Sequence, residues 1–395
     1  MIPSAAVKIA ERAGRIAESA TLKVTRLAAE LKARGVSVVD WGAGEPDFPS
    51  PPVAVEAARL ALAEGFTRYT PGSGIPELRQ AVADSYRVRH GAPWSPAQTV
   101  ITVGAKSALF ELALALFEPG HEVVLPTPSW VTFPEQIAFT GARPVAVPTT
   151  VDDGFRIHAE PLLAAVTERT RALLINSPCN PTGGVVGAED LERIVAFAAE
   201  NDLVVISDET YERFAYDAPA ASAAALAERF PETVIVVGSF SKTYAMTGWR
   251  LGYLLGPHEV VEAVEKIQSH ATSNPTSFAM KGALAALEGA EADVESMIRE
   301  YRARRDLLVE GLNRLPGFEC RPPSGAFYAF PRVTGCYRPG RPGSVAFAEF
   351  LLDEARVAVV PGEAFGTDEH IRISFACSRP ELAEGLARIE AALSG

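Results

Sequence analysis

The sequence predicts an α/β protein in which a large domain with a mainly parallel sheet sandwiched by helices is joined to a smaller α+β domain. Three observations lead there. Short apolar runs alternate with longer helix-period segments through the middle of the chain, clusters of Gly, Ser, Asn and Asp follow those runs, and the pattern changes toward the C-terminus. At 395 residues the chain is also too long for one core, so length alone asks for two or three domains.

The opening stretch, "MIPSAAVKIAERAGRIAESATLK", is Ala-rich and mildly basic. Its acids (Glu11, Glu18) and the lack of an apolar h-region predict an ordinary amphipathic helix rather than a transit peptide. "VSVVDWGAG" (36–44) is expected to pack with the C-terminal part of the chain. In the middle, "TVITVG" (99–104) leads into the helical "AKSALFELALALF", and "EVVLP" (122–126) and "ALLIN" (172–176) follow. A helix around "AEDLERIVAFAAEN" (188–201) separates these from "LVVIS" (203–207) and "VIVVGS" (234–239). Apolar on both faces and spaced by helices, these runs read as buried parallel strands.

Helix-rich sequence follows from about 257 to 315, and "ESMIREYRARRDLLVEGLNRL" reads as a long helix with exposed faces. Beyond it, "SGAFYAF" (324–330), "VAVVPG" (357–362) and "IRISFA" (371–376) are strand-like, while "SVAFAEFLLDEA" and "PELAEGLARIEAAL" are amphipathic helices. The expected division is an N-terminal arm with part of the small domain (1–47), a large domain carrying the parallel sheet (48–290) and a small C-terminal domain (291–395).

Composition narrows the function. No apolar run reaches the roughly 18 to 20 residues that span a bilayer. A net charge of −12 argues against nucleic acid or an anionic membrane as partner, so each Arg or Lys that could meet an anion gains interest. Cys179, Cys320, Cys336 and Cys377 form no CxxC pair and no zinc spacing, as expected of reduced thiols in a cytoplasmic protein.

Ligands of parallel α/β sheets sit beyond the carboxyl ends of the strands, so the residues after each apolar run carry the chemistry. "GAKSA" (104–108) is a small-residue turn opening a helix, whose free N–H groups suit a phosphate. "NSPCNPTGG" (176–184) presents side-chain amides, "DETY" offers Asp208 and Tyr211, and "GSFSK" offers hydroxyls and Lys242. Each is weak alone; Lys242 by itself would read as a surface charge. Together they suit one cofactor. A lysine amine forms a Schiff base with an aldehyde, and a carboxylate keeps a pyridine nitrogen protonated so that the ring draws electrons. A phenol and an amide can bond the ring's phenolic oxygen, while serines, Arg250 and a helix N-terminus hold a phosphate. That inventory describes pyridoxal 5′-phosphate.

The chain closely resembles the class I aminotransferases of fold type I, in their bacterial aspartate-aminotransferase-like branch. The resemblance runs through "GAGEPDFPSP", "YTPGSGIPELRQAVA", "TVGAKSALFELALALFEPGHEVVLPTPSWVTFPE", "NSPCNPTGG", "SDETYERF", "GSFSKTYAMTGWRLGY", "PSGAFY", "VAVVPGEAFG" and "IRISFA". It implies a seven-stranded sheet and a role for each matching residue. Lys242 carries the cofactor and then shuttles the proton between substrate Cα and the cofactor's C4′. Asp208 pairs with the pyridine nitrogen, Tyr211 and Asn180 bond the phenolic oxygen, and Trp130 stacks on the ring. Ser239, Ser241, Arg250 and the backbone of Ala105, Lys106 and Ser107 hold the phosphate. Tyr69 reaches the phosphate of the neighbouring subunit, implying a homodimer with shared active sites. Arg372 takes the substrate α-carboxylate, helped by Asn180 and the backbone at Gly44. The implied reaction passes nitrogen from an amino acid to a 2-oxo acid by ping-pong kinetics.

In the same branch a lysine in the "GAK" turn and nearby hydroxyls bind a distal carboxylate, so Lys106, Ser19 and Thr21 favour aspartate or glutamate. Two departures weigh the other way: Ala17 and Glu18 stand where relatives carry "KP", and Ser129 replaces a tyrosine before Trp130. A non-acidic donor, or a lyase, decarboxylase or oxidase on the same scaffold, stays open because one lysine and one aspartate serve them all. Other classes fail on their motifs. "SFSK" matches S-x-x-K, but no S-D-N or K-T-G accompanies it. "GSGIPE" lacks the last glycine of a dinucleotide fingerprint, and no Walker-type lysine exists.

Overall fold

The structure, a computed structural model, describes residues 7–17 and 20–394, without the side chains of 20–23. Its strands in chain order are β1 (Val39–Asp40), β2 (Thr99–Thr102), β3 (Glu122–Thr127), β4 (Arg143–Pro148), β5 (Thr170–Asn176), β6 (Val204–Asp208), β7 (Val234–Ser239), β8 (Gly252–Leu255), β9 (Tyr328–Ala329), β10 (Val357–Ala358), β11 (Val360–Pro361) and β12 (Ile371–Ser374). Seven of them form the main sheet in the order β2-β8-β7-β6-β5-β3-β4. β8 alone runs against its neighbours, so the sheet is mainly parallel as expected. Helices cover both faces and bury two apolar clusters against it, one including Val205, Val234 and Val236, the other Ile206, Ile235 and Val237.

Two sheet strands escape the sequence reading for identifiable reasons. β4 contains Pro144 and Pro148 and lies at the sheet edge, where missing N–H donors are tolerated. β8 is only four residues long and starts on a glycine, too short for a periodicity argument.

The C-terminal part has its own core, which includes Trp41, Phe327, Phe347, Ile371 and Ile373. From the opening stretch, β1 pairs in parallel with β10, Val39 opposite Val357 and Asp40 opposite Ala358. Local details differ. "SGAFYAF" contributes only the two residues of β9, because Ala326 adopts a left-handed φ of 56° and turns the chain just before it. "VAVVPG" splits, with β10 facing β1 and β11 facing β12. The N-terminal stretch is not one helix; it gives a short turn at Glu11–Gly14 and a separate helix at Ala20–Ala33. The long helix, Glu291–Leu312, is less exposed than its charges suggest. Arg304 and Arg305 are both buried on it, paired with Asp47 and Glu300 and with Asp217 and Asp306.

Among the described residues no helix is long and apolar enough to cross a membrane, and no group of three or more His, Cys, Asp or Glu side chains could hold a metal ion. Packing between the two ends of the chain is tight at Gly385, where an added Cβ would lie 2.1 Å from the buried Trp41 ring. Gly385→Ala should therefore destabilise the protein by about 1–3 kcal/mol, read as a lower denaturation midpoint in urea at unchanged m-value.

Candidate active site

Register brings the polar strand tips together. Asn176 at the end of β5 lies opposite Asp208 at the end of β6. The Asn176 amide donates to the Asp208 carbonyl (3.1 Å), while its oxygen accepts from the Asn180 backbone N–H (2.9 Å). This fixes the start of the "NPTGG" loop to the neighbouring strand. β7 ends at Ser239, whose Oγ accepts from the Ser241 N–H at 3.0 Å and so caps the turn that carries Lys242.

Two charged groups in this cavity lack ordinary solvation. Burial drives the Lys242 ammonium down to about 8; Glu45 opposes the shift, and Arg372, Arg250 and Lys106 add to it. Its Nζ donates to the Gly44 carbonyl. Burial pushes the Asp208 carboxyl up to about 6, against the Thr210 N–H that donates to its Oδ1 at 3.0 Å. No Lys, Arg or His pairs with Asp208 among the described residues. An amine that is neutral above about pH 8 can attack a carbonyl or accept a proton. A buried carboxylate without a cation is a site waiting for positive charge.

At one side of the cavity Arg250, itself left-handed at φ 54°, donates through Nη1 to Thr247 O at 2.8 Å and packs against Gly104. A Cβ on Gly104 would come within 2.5 Å of Arg250 Nη2, and one on Gly252 within 2.4 Å of Ala105 N. Only glycines let the strand, the turn and the guanidinium meet here. The helix Ala105–Leu116 starts at this point. Lys106 holds its Nζ 4.9 Å over the Trp130 ring, its ammonium lowered by burial and then by Arg250.

Arg372, on β12, is 1% exposed. Its guanidinium lies over the rings of Tyr328 (4.5 Å) and Phe365 (5.1 Å). Nη1 donates to Asn180 Oδ1 at 3.1 Å and Nη2 to Gly42 O at 2.8 Å, while Nε has no partner among the described residues. The Tyr211 and Tyr328 hydroxyls are 2.9 Å apart, and burial raises the Tyr211 phenol well above its ordinary range.

The cavity, about 440 Å³, is lined by most of the residues expected from sequence: Gly44, Ala105, Lys106, Trp130, Asn180, Asp208, Tyr211, Ser239, Ser241, Lys242, Arg250 and Arg372. Ser107 is not among them. Its N–H bonds back to Gly104 O at 3.1 Å and its hydroxyl donates to buried Glu111 at 2.7 Å. Tyr69 is 88% exposed and stands away from the cavity. Gly44 gives its carbonyl to Lys242, and Gly42 gives its own to Arg372. Ser19 lies outside the described residues, as does the Thr21 side chain. Sequence reasoning missed Thr25, Glu45, Asn176, Thr247 and Tyr328, which also line the cavity. Membership of the quoted strings "GAGEPDF", "NSPCNPTGG", "AMTGWR" and "PSGAFY" was the available signal for the last four.

The family model for aminotransferase class I and II matches residues 36–389. The chain is 44% identical over 388 residues to the probable aspartate/prephenate aminotransferase of Aquifex aeolicus, covering 98% of each chain. It is 39% identical to the aspartate aminotransferase of Bacillus subtilis, over 97% of this chain and 98% of that one. Among solved structures, the aspartate aminotransferase from Thermus thermophilus with maleate superposes with a TM-score of 0.94 at 42% identity, over 98% of this chain and 100% of that one.

The Asp208 environment yields a signed expectation. A carboxyl raised in the folded state costs nothing below about pH 4, where it is protonated folded or unfolded, and its cost grows until about pH 6. Asp208→Asn should therefore stabilise the cofactor-free chain by about 1–3 kcal/mol at pH 8. That gain should vanish below pH 4, as followed by urea unfolding across pH.

Proposed function

The chain belongs to the class I and II aminotransferases, and we propose that its donor is an acidic L-amino acid, aspartate or glutamate, with a 2-oxo acid such as 2-oxoglutarate as acceptor. Pyridoxal 5′-phosphate is the cofactor, and members of this family act on amino and 2-oxo acids and are generally dimeric. The observation that carries the reading is the pairing, in one cavity, of an amine driven toward neutrality with a buried carboxylate that has no cation. The pyridine nitrogen of that cofactor, protonated, is the cation the carboxylate lacks. The glycine-opened turn beside Arg250 suits its phosphate.

When bound, the cofactor supplies an electron sink. Around it, Lys242 would hold the cofactor and, once freed by the substrate amine, would take the proton from the substrate Cα, a task that an amine near pH 8 performs well. Asp208 would keep its charge against the ring nitrogen, and Tyr211 and Asn180 would bond the phenolic oxygen. Ser239, Ser241, Arg250 and the N–H groups of Ala105 and Lys106 would hold the phosphate, and Trp130 would stack on the ring. Arg372 takes the α-carboxylate, its planar fork fixed by Asn180 and Gly42. Both halves of the reaction use this single cavity, which makes the kinetics ping-pong.

Lys106 supports the acidic donor: its ammonium borders the cavity over Trp130, and no carboxylate pairs with it among the described residues. Ser129 is buried, its N–H bonds to Phe365 O, and it is not part of the cavity wall. Tyr69, exposed and off the cavity, supports donation across a homodimer, as do the half-exposed Val55, Leu60 and Leu62 on the helix Pro52–Ala63. Four unpaired cysteines support a cytoplasmic setting. The pairing of β1 with β10 supports assigning 1–47 partly to the small domain, beside a large domain at 48–290 and a C-terminal one at 291–395.

Purified protein should absorb in the visible, and borohydride should leave the cofactor's mass on the Lys242 peptide; a colourless chain that gains nothing on soaking would refute the reading. Aspartate should bleach the band and 2-oxo acids restore it, whereas pyruvate and ammonia released without an acceptor would indicate a lyase. Lys106→Ala should lower kcat/KM for aspartate by about ten- to hundredfold, the worth of one charge-assisted bond. The loss for alanine should be much smaller; equal losses would assign Lys106 to the phosphate.

A further inference from the structure

Tyr328 is buried at 1% exposure, lines the cavity, and has no part in the roles above. It stands on β9 opposite Ser374, two residues beyond Arg372 on β12. Residues two apart share a sheet face, which sets the Tyr328 ring diagonally beside Arg372. The guanidinium carbon lies 4.5 Å over that ring, with Phe365 5.1 Å away. The hydroxyl reaches the other half of the site: it is 2.9 Å from Tyr211 Oη, and a Cβ on Gly44 would come within 3.0 Å of it. A phenylalanine would make the same apolar contacts, and a buried hydroxyl costs free energy unless bonded. Its one hydrogen-bond partner among the described residues is Tyr211.

We propose that Tyr328 is a positioning residue joining the two halves of the site, its hydroxyl orienting the Tyr211 phenol and its ring bracing the Arg372 guanidinium. The proposal rests on the roles given above to Tyr211 and Arg372. When Tyr328 donates to Tyr211, the Tyr211 proton turns away from Tyr328 and toward the cavity, and the chain of two hydroxyls polarises. A donor aimed at an oxyanion stabilises the deprotonated form of the group that bears it. The second effect is geometric: a guanidinium held over a ring face is restricted in the directions in which it can present its fork.

The test uses the holoenzyme. Tyr328→Phe removes the hydroxyl and keeps the ring; Tyr328→Leu removes both, and Tyr328→Met stands in if the Leu variant does not fold. In the Phe variant, the pH midpoint of the cofactor's visible band should rise by about half to one unit, with KM for aspartate within about twofold of wild type. In the Leu or Met variant, KM should rise about tenfold or more above the Phe variant. A Phe titration superimposable on wild type, or a Leu or Met KM equal to that of Phe, overturns the proposal while leaving the cofactor reading intact. A wild-type chain with no visible band refutes both.

Discussion

Two opposite charges, the Lys242 ammonium and the Asp208 carboxylate, are held out of water in one cavity, and the surrounding structure is built to tolerate them. An isolated buried charge costs several kcal/mol. The cost is met by cores on both faces of the seven-stranded sheet and by a separate core around Phe327 and Ile373. It is also limited locally. Lys242 has the Gly44 carbonyl, Asp208 has the Thr210 N–H, and Asn176 locks β5 to β6 at the point where Asp208 emerges. The site is destabilising when empty, which is the condition for binding a group of complementary charge tightly.

Much of this was legible because the chemistry follows directly upon apolar strands. "ALLIN" and "VIVVGS" end on a residue of the cavity wall, "LVVIS" stops one residue before another, Asp208, and a parallel sheet aligns those ends. What stayed hidden has physical reasons. Tyr328 sits in an aromatic run that reads as core, and nothing in its spacing says that its hydroxyl finds Tyr211. Ser107 was expected to offer its backbone to a phosphate, but its N–H bonds back to Gly104 O at the start of the helix. Arg304 and Arg305 read as solvated charge, yet both are buried with carboxylates and rings that arrive from distant segments. Periodicity reports which face is apolar; it does not report which polar groups will meet.

The two ends of the cavity differ in how firmly they are built. Around Arg372 every contact is fixed by buried partners: two hydrogen bonds, two ring faces and a strand. Around Lys106 the ammonium lies over one ring, that of Trp130, and no carboxylate pairs with it among the described residues. A rigid near end and a lightly held far end are suited to two substrates that share an α-carboxylate and differ beyond it.

The pairing of Val39 with Val357 bears on the order in which the chain assembles. Strand β1 emerges early in synthesis, but its partner follows more than three hundred residues later, a wait of about 15–60 s at roughly 5–20 residues per second. The large sheet can form within that interval; the Gly42–Gly44 segment, which follows β1 and gives its carbonyls to Arg372 and Lys242, cannot be seated until the end. A nascent chain therefore carries an open half-site for most of its time on the ribosome, and enclosure of the buried charges is the last event of folding rather than the first.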